Sequence, residues 1–354
     1  MGEISVREED RGLNFEKHKI AYLKKGEEKQ AWVDYINGAT DELIERLSEL
    51  ENEINSGDNE PEGTLVMLHR ALDQFLDKAE LIEQSEGDMD FIKELRTEFQ
   101  RKTDHLFSKG YIFNRARTWP QGYQGDHKTL ETIYRNMPLS SGLGYYLDLA
   151  ALGSNLAVGV RNRIKVLQGL VKEELTGRIK PNVLNIACGS CRELVEITPE
   201  IIDSKANIFC IDNDEDALSF AHNRLYYTDV LPHLDFRKYN ALRLFDFETT
   251  ERDFGRQDII YSVGFFDYIE SDFLAKIFDA LYRLLNPGGK LIAAFKDTKR
   301  YRSQKYHWLV DWNGFLQRTE DEFMRIFSEA HIPDSSITKM REESGVIIFY
   351  TITK

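Results

Sequence analysis

The stretch Val183 to Glu193, which reads Val-Leu-Asn-Ile-Ala-Cys-Gly-Ser-Cys-Arg-Glu, decides the fold of this chain. Its apolar first part, Val183 to Ala187, is short and bounded, which predicts a buried strand. A helix is predicted to follow over Cys191 to Ile202. The small residues around Gly189 permit a tight turn between the two, where a ligand can lie against backbone N–H groups at a helix N-terminus. The stretch therefore predicts a strand, turn and helix with a ligand site at the turn.

The rest of the C-terminal half alternates apolar strands with helices. Strands are predicted at Ile208 to Ile211, Leu234 to Tyr239, Ile259 to Val263 and Leu291 to Phe295, and helices at Glu215 to Tyr227 and Asp272 to Leu285. Such alternation predicts right-handed crossovers and a parallel sheet with helices on both faces. The last two segments, Ser336 to Met340 and Val346 to Thr353, predict an antiparallel hairpin turned at Glu343-Ser344-Gly345. Together these segments predict a Rossmann-like α/β sheet of seven strands, mostly parallel.

The N-terminal half has helical periodicity. Leu43, Leu47 and Leu50 form one apolar stripe, and similar stripes recur up to about residue 176. The loop Asn55 to Glu62 contains a glycine and a proline and separates two of these helices. The change of periodicity predicts two domains, an all-helical domain over residues 1–176 and a sheet domain over residues 177–354.

Composition and charge exclude several partners. A formal charge of −14 repels phosphate backbones and anionic lipid heads, so neither nucleic acid nor a membrane is an expected partner. The first residues lack the apolar core of a secretory signal and no later run is long enough to span a bilayer, which predicts a cytoplasmic protein. Cys188 and Cys191 are spaced like a metal or redox pair, but no second pair completes a metal shell, so no metal is expected. Apolar stripes on the helical half favour a homodimer.

A carboxylate at the end of the second predicted strand strengthens the ligand site. Asp212 lies roughly twenty residues past the turn, the spacing at which an acid accepts hydrogen bonds from a ribose diol. Asp214 is predicted to be the N-cap of the helix that begins at Glu215. The turn and the acid together predict a ligand that contains a ribose.

Residues 180–354 resemble the class I S-adenosylmethionine-dependent methyltransferases. The resemblance is carried, in the family's order, by Ala187 to Cys191, Asp212, Asn240-Ala241, Asp258 to Ser262 and Leu285 to Lys290. It implies that S-adenosylmethionine is the cofactor, with its ribose on the acid, its adenine beside the third strand and its methionine moiety over the turn. The cofactor-binding residues expected on this basis are Tyr123, Ala187, Cys188, Gly189, Asp212, Asn213, Asn240, Ala241, Ser262, Val263 and Gly264.

Three positions depart from the family's pattern. Asn185 stands where an acid is usual, and Ala187 and Cys191 replace the first and third glycines of the turn. The Cys-Gly-Ser form of this turn is similar to a bacterial subgroup described as extracellular-factor (3-hydroxypalmitate methyl ester) biosynthesis proteins. That subgroup also resembles the chain at Arg117 to Asp126, Val160 to Arg163, Gly264 to Tyr268 and Asp311-Trp312.

The loop Trp119 to His127 is expected to be functional because the subgroup resemblance includes it. We expect Tyr123, Gly125 and Asp126 to cover the methionine end of the cofactor. Either Arg161 or Arg163 is expected to face the cofactor's carboxylate or an acidic acceptor. Residues two apart on a helix point in different directions, so one of these two arginines should be a surface residue.

The acceptor is expected to be a small molecule, and its class decides which residues are catalytic. A carboxylate needs no general base, whereas an amine, guanidine or hydroxyl requires a residue that takes or orients a proton. Asp267 and Tyr268 are the candidates for that role, although a helix cap and a packed ring explain them equally well. The expected substrate-binding residues are Asp126, Arg163, Phe265, Phe266, Trp308 and Trp312, and Phe265 and Phe266 are equally well explained as core.

Several functions remain open from the sequence alone. The helical domain is expected to close over the active site and to select the acceptor, either a fatty-acid carboxylate or an amino acid or guanidine group. A nicotinamide-dependent oxidoreductase is the first rival, since an acid after the second strand also suits that ribose. A non-catalytic protein that senses the cofactor is the second, prompted by Asn185, Ala187 and Cys191.

Overall fold

The computed structural model describes residues 27–354, so the N-terminal segment on which the absence of a signal was predicted lies outside the described residues. The chain divides into two compact units. The helical unit comprises the described residues up to Gln124, together with Asn136–Gly153 and Ser303–Asn313. The sheet unit comprises Gly125–Arg135, Ser154–Arg302 and Gly314–Lys354. The units therefore do not divide at one point between residues 176 and 177, as expected. Residues 125–135 and 154–176 belong to the sheet unit, whereas residues 303–313 belong to the helical unit.

Thirteen α-helices and seven strands form within the described residues. The helices are α1 (Glu27–Ser56), α2 (Pro61–Ser85), α3 (Met89–Phe107), α4 (Tyr111–Thr118), α5 (His127–Arg135), α6 (Leu143–Leu152), α7 (Asn155–Leu175), α8 (Arg192–Glu196), α9 (Thr198–Ser204), α10 (Glu215–Leu225), α11 (Phe247–Phe254), α12 (Ser271–Leu284) and α13 (Glu320–Glu329). The strands are β1 (Asn182–Ile186), β2 (Asn207–Asp212), β3 (Leu234–Lys238), β4 (Gln257–Val263), β5 (Leu285–Lys296), β6 (Ile337–Arg341) and β7 (Ile347–Thr353).

The helical unit is built on the apolar stripes expected from the sequence. Leu43, Leu47 and Leu50 are buried on α1. The predicted loop after α1 is confirmed, since α1 ends at Ser56 and α2 begins at Pro61, capped by the Glu60 carboxylate on the backbone N–H groups of Glu62 and Gly63. No helix among the described residues is both long enough and apolar enough to cross a lipid bilayer.

The sheet unit has the predicted seven-stranded sheet, with strand order β3-β2-β1-β4-β5-β7-β6. The pairs among β1 to β5 are parallel, while β7 runs antiparallel to β5 and β6, which confirms the C-terminal hairpin. The helix predicted over Cys191 to Ile202 is instead two helices, α8 and α9, because the chain leaves helical geometry at Ile197 and the second helix begins at Thr198, with Pro199 in its first turn.

The strand order reverses direction between β1 and β4. From β1 the chain moves outward to β2 and β3, and it then returns to the other side of β1 through β4 and β5. Open α/β sheets bind ligands in the crevice at such a switch point, outside the carboxyl ends of the strands. A ligand site is therefore expected among the residues that follow β1, β2 and β4.

Candidate functional site

The turn after β1 has an unusual backbone. Ala187, Gly189 and Cys191 all have positive φ angles, of 52°, 53° and 47°. A left-handed conformation costs a non-glycine residue about 1–2 kcal/mol. Strain of this kind persists only where the surrounding structure fixes it, and it clusters at ligand-binding sites. Ala187 and Cys191 thus adopt the left-handed conformation that glycine adopts at low cost, and the turn stays tight although it lacks two of the usual glycines.

Asp212 is joined directly to this turn. One of its carboxylate oxygens accepts a hydrogen bond from the backbone N–H of Gly189 at 2.9 Å, and the other accepts from the N–H of Asp214 at 3.0 Å. Burial raises the pKa of Asp212, and these backbone hydrogen bonds only partly offset the increase. A carboxylate has about four acceptor positions, and the backbone donors do not occupy all of them, so acceptor capacity remains for a ligand hydroxyl. The predicted N-cap at Asp214 is confirmed, since its side chain accepts from the N–H of Asp216.

The residues around the turn leave open space for a ligand. A Cβ added at Gly189 would meet no atom within 4 Å, so the space beside this backbone is open to a ligand. After β3, the exposed Asn240 caps the next turn through a hydrogen bond from the Leu242 N–H, and Ala241 is buried. Asn213 is exposed and Cys188 is buried.

A buried carboxylate near the turn was not found from the sequence. Glu193, on α8, accepts hydrogen bonds from the Asn185 side-chain amide at 2.8 Å and from the Tyr261 hydroxyl at 3.0 Å. Burial raises the pKa of Glu193. Asn185 occupies the position where the resembled family has an acid, and here the acid that faces this position comes from eight residues later in the chain.

A buried arginine lies beside the carboxyl end of β4. Arg163, on α7, is 4% exposed and donates to the Tyr134 hydroxyl from Nε at 3.3 Å and from Nη2 at 3.0 Å. No carboxylate among the described residues lies within ion-pair distance of it. A Cβ added at Gly264, whose φ is 93°, would lie 3.0 Å from Arg163 Nη1. The glycine therefore leaves room for the guanidinium beside β4, while Arg161 is half-buried on the same helix.

Neighbouring residues after β4 are tied to the sheet. The Ser262 hydroxyl donates to the Ile186 carbonyl at 2.8 Å and joins β4 to β1, and Val263 is half-buried. Phe266 is fully buried in the core, and the half-buried Phe265 contacts it at 5.7 Å between ring centroids.

Asp267 is bound to a lysine that sequence reasoning did not find. Lys296, at the end of β5, donates to one Asp267 oxygen from Nζ at 2.5 Å and to the other from its backbone N–H at 3.2 Å. Burial lowers the pKa of Lys296, and the Asp267 carboxylate opposes that change. Burial, together with the Asp267 charge, raises the pKa of Tyr268 above its usual range.

The remaining candidates lie in other surroundings. In the sheet unit, Asp126 is buried and accepts from the N–H groups of Lys128 and Thr129, so it caps α5. In the helical unit, Trp308 is fully buried and donates to Glu83 at 2.8 Å. Also in that unit, Tyr123 is half-exposed and Trp312 stacks on Tyr306 at 6.2 Å. Ligand roles for these four residues stay predictions.

Two segments of the subgroup pattern meet within the helical unit. Arg117 donates from Nε to the Leu309 carbonyl at 2.9 Å, and the indole of Trp119 and the amide of Gln124 both donate to the Asp311 carbonyl. Burial lowers the pKa of Arg117 to about 10. These contacts hold residues 117–124 and 309–311 together within the helical unit.

The three cysteines are buried and unbridged. Within residues 27–354, no group of three or more His, Cys, Asp or Glu side chains is placed to hold a metal ion.

Comparison with known proteins identifies the central part of the sheet unit. A family model described as a methyltransferase domain matches residues 183–289, which run from β1 into β5. No curated protein matches the chain. The crystal structure of a possible exported protein from Bordetella parapertussis is similar in fold, with a TM-score of 0.53, 16% sequence identity, and coverage of 89% of this chain and 96% of that one.

A second solved structure is a magnesium protoporphyrin IX methyltransferase from Synechocystis with bound S-adenosylmethionine, at 11% identity, with 56% of this chain and 82% of that chain covered and a TM-score of 0.41. The matched family model covers the turn, the acid and the strand-four residues in one segment. The chain therefore contains a methyltransferase domain of the S-adenosylmethionine-dependent class and is an enzyme whose methyl donor is S-adenosylmethionine.

Proposed function

We propose that this enzyme methylates the carboxylate of a small acidic acceptor, with a fatty acid as the class suggested by the subgroup resemblance. The observation that carries the proposal is Arg163, a buried guanidinium for which the described residues provide no carboxylate. A buried cation without a counter-ion is costly, and an anionic ligand supplies one. Its position beside Gly264, at the carboxyl end of β4, is the edge of the sheet where ligands bind in such folds.

S-adenosylmethionine supplies a methyl group on a sulfonium, which is already activated for displacement. We assign its ribose to the Asp212 acceptor positions that the backbone does not occupy, and its methionine moiety to the turn. The adenine is assigned to Asn240 and Ala241. Asn213, Cys188, Ser262 and Val263 complete the part of the proposed cofactor set that lies in the sheet unit. The protein's task is to hold the acceptor in line with the methyl group at near-attack distance.

The surroundings of Asp267 and Tyr268 support an acceptor that needs no general base. Asp267 is neutralised by Lys296, and the raised pKa of Tyr268 keeps its phenol protonated near pH 7. Neither group is therefore suited to remove a proton from an amine or guanidine. A carboxylate is already ionised at neutral pH and reacts without that step. We assign to these two residues the shaping of the acceptor site.

Incubation with S-adenosylmethionine carrying a radiolabelled methyl group, and a panel of fatty acids, hydroxy acids, amino acids and guanidines, tests the proposal. Alkaline treatment releases the label as methanol from a methyl ester but not from an N-methyl product. Alkali-labile product from acids supports the proposal, whereas alkali-stable product from amines favours the N-methyltransferase alternative. Absence of methylated product from every acid in the panel would contradict the proposal. Cytoplasmic location and a homodimer stay predictions.

Two arginine variants on the same helix test the residue that carries the proposal. Arg163→Leu is expected to raise KM for the acidic acceptor by about 10-fold to 100-fold, because a hydrogen bond to a charged group contributes about 1.5–3 kcal/mol. Arg161→Leu, two residues away, is the matched control and is expected to change KM less than threefold. Equal losses in the two variants, or an unchanged KM in Arg163→Leu, would contradict the assignment.

A further inference from the structure

A second buried carboxylate, on a helix that precedes the sheet in sequence, is bonded to the cofactor turn. Glu131 lies on α5 and is almost fully buried. Its oxygens accept hydrogen bonds from the Ser190 hydroxyl at 2.8 Å, from Arg192 Nη1 at 2.9 Å and from Arg224 Nη1 at 2.8 Å. Ser190 belongs to the turn, Arg192 is the first residue of α8 and Arg224 lies on α10. One carboxylate thus joins the turn to three helices.

The contacts of Glu131 include two ion pairs, and one of the paired arginines also bonds to the backbone of the turn. Arg224 Nη1 also donates to the Ser190 carbonyl at 3.3 Å and to its hydroxyl at 3.1 Å. Within residues 27–354, Glu131 is the carboxylate that pairs with both Arg192 and Arg224. Burial alone would raise the pKa of Glu131, but the hydrogen bonds and charges of Arg224, Ser190 and Arg192 outweigh it, so the pKa falls. The group is ionised at neutral pH and holds two cations against the turn.

The position of these bonds matters because the turn is strained. Ser190 lies between Gly189 and Cys191, both in the left-handed region. Strained backbone keeps one conformation only where surrounding contacts fix it. The Gly189 N–H is bonded to Asp212 on one side, and Ser190 is bonded to Glu131 on the other. The turn is thereby fixed from both sides before any ligand binds.

We infer that Glu131 is a positioning residue that fixes the cofactor turn in its binding conformation through Ser190, Arg192 and Arg224. This inference rests on the proposed cofactor site, and it assigns no contact between Glu131 and the cofactor. Without its bonds to Glu131, the turn samples other conformations. The apparent dissociation constant of a ligand then rises in inverse proportion to the fraction of molecules whose turn is in the binding conformation.

Glu131→Gln removes the charge at nearly unchanged size, and its effect can be measured without activity. Calorimetry is expected to show a dissociation constant for S-adenosylmethionine at least tenfold above that of the parent. Hydrogen exchange of backbone amides in a peptide spanning residues 187–192 is expected to be several-fold faster in the ligand-free variant. Ser190→Ala, which removes one bond and no charge, is expected to change both quantities in the same direction by a smaller factor.

Glu320→Gln is the matched control. Glu320 also pairs with two cations, Lys339 and Arg341, but they lie on β6, the strand at the edge of the sheet opposite β3. This variant is expected to lose thermal stability while its affinity for S-adenosylmethionine stays within twofold of the parent. A comparable loss of affinity in Glu320→Gln would show that Glu131→Gln acts through general stability and would overturn the inference.

The outcomes separate the inference from the function on which it rests. A parent protein that does not bind S-adenosylmethionine overturns the proposed cofactor site and the inference with it. A parent that binds, with Glu131→Gln and Ser190→Ala binding equally well and exchanging residues 187–192 at the parent rate, overturns the inference alone. If Glu131→Gln does not fold, Ser190→Ala is used instead. The same measurements on that variant then show whether the inference holds.

Discussion

Asp212 shows how one residue reconciles two opposing demands. Its carboxylate must be ionised to accept hydrogen bonds from the Gly189 and Asp214 N–H groups and from ribose hydroxyls, yet its burial raises its pKa and favours the protonated form. The backbone donors partly offset this cost. Because each donor must already be in place, the acid and the turn are best understood as one unit.

The raised pKa of Asp212 predicts how cofactor affinity depends on pH. The ionised form binds the ribose, so affinity is full above the raised pKa and is lost as the pH falls through it, at a higher pH than for an ordinary Asp, whose pKa is about 3.9. Asp212→Asn is expected to weaken binding by about tenfold or more at pH 7, because a charged acceptor is replaced by a neutral one. It should also abolish the decrease of affinity in acid.

Calorimetric titrations with S-adenosylmethionine, made at a series of pH values at which the protein stays folded, check both expectations. Asp203→Asn, at an exposed position on α9, is the control and should keep the parent profile. A parent affinity that does not change with pH, or an Asp212→Asn variant that binds as tightly as the parent, would contradict the role given to this carboxylate.

At the scale of elements, local preference and fold conflict in the turn after β1. Ala187 has a φ of 52°, and Gly189, two residues later, has a φ of 53°. Ala187→Gly is expected to increase the free energy of unfolding by about 0.5–1 kcal/mol, because relief of left-handed strain exceeds the added entropy of the unfolded chain. Gly189→Ala is expected to decrease it by about 1 kcal/mol through strain alone, since a Cβ there meets no other atom. Urea denaturation measures both, and changes of the same sign would refute the strain argument.

Much of the element pattern could be predicted because it depends on local sequence. The apolar runs that became β1, β2 and β4 are bounded by turn residues, and the C-terminal hairpin is marked by Gly345. The break at Ile197 was missed because its neighbours continue a helical pattern and only the position of Pro199 marks a second start. Local signals thus define element type well and define element ends less well.

The partners of the site residues could not be predicted, because they come from distant parts of the chain. Lys296 pairs with Asp267 across 29 residues, and Glu131 bonds to Ser190 across 59. A lone lysine at the end of a strand, or a glutamate on an amphipathic helix, has the same sequence signature when it is exposed. Only the fold distinguishes the buried ion pair from the solvated charge.

At the scale of the whole molecule, the chain leaves the sheet unit after β5 and contributes Ser303–Asn313 to the helical unit. Within that unit, Glu83 on α2 accepts from the Trp308 indole at 2.8 Å and from the Gln304 amide at 2.8 Å, and it pairs with Arg96 of α3 at 2.5 Å. The first two bonds join residues 225 and 221 positions apart. This explains why periodicity placed the segment with the sheet domain, since no local signal reports so distant a partner.

Glu83→Gln tests whether this carboxylate fixes the segment in the helical unit. The change leaves the buried Arg96 without its counter-ion, and breaking a buried ion pair costs about 3–5 kcal/mol. We expect faster backbone hydrogen exchange in α2, in α3 and in residues 303–313, together with a lower melting temperature. Glu94→Gln, at an exposed position on α3, is the control and should change neither quantity. If residues 303–313 exchange at the parent rate in Glu83→Gln, their attachment depends on apolar packing of Trp308 against Phe75 and Phe99 rather than on the carboxylate.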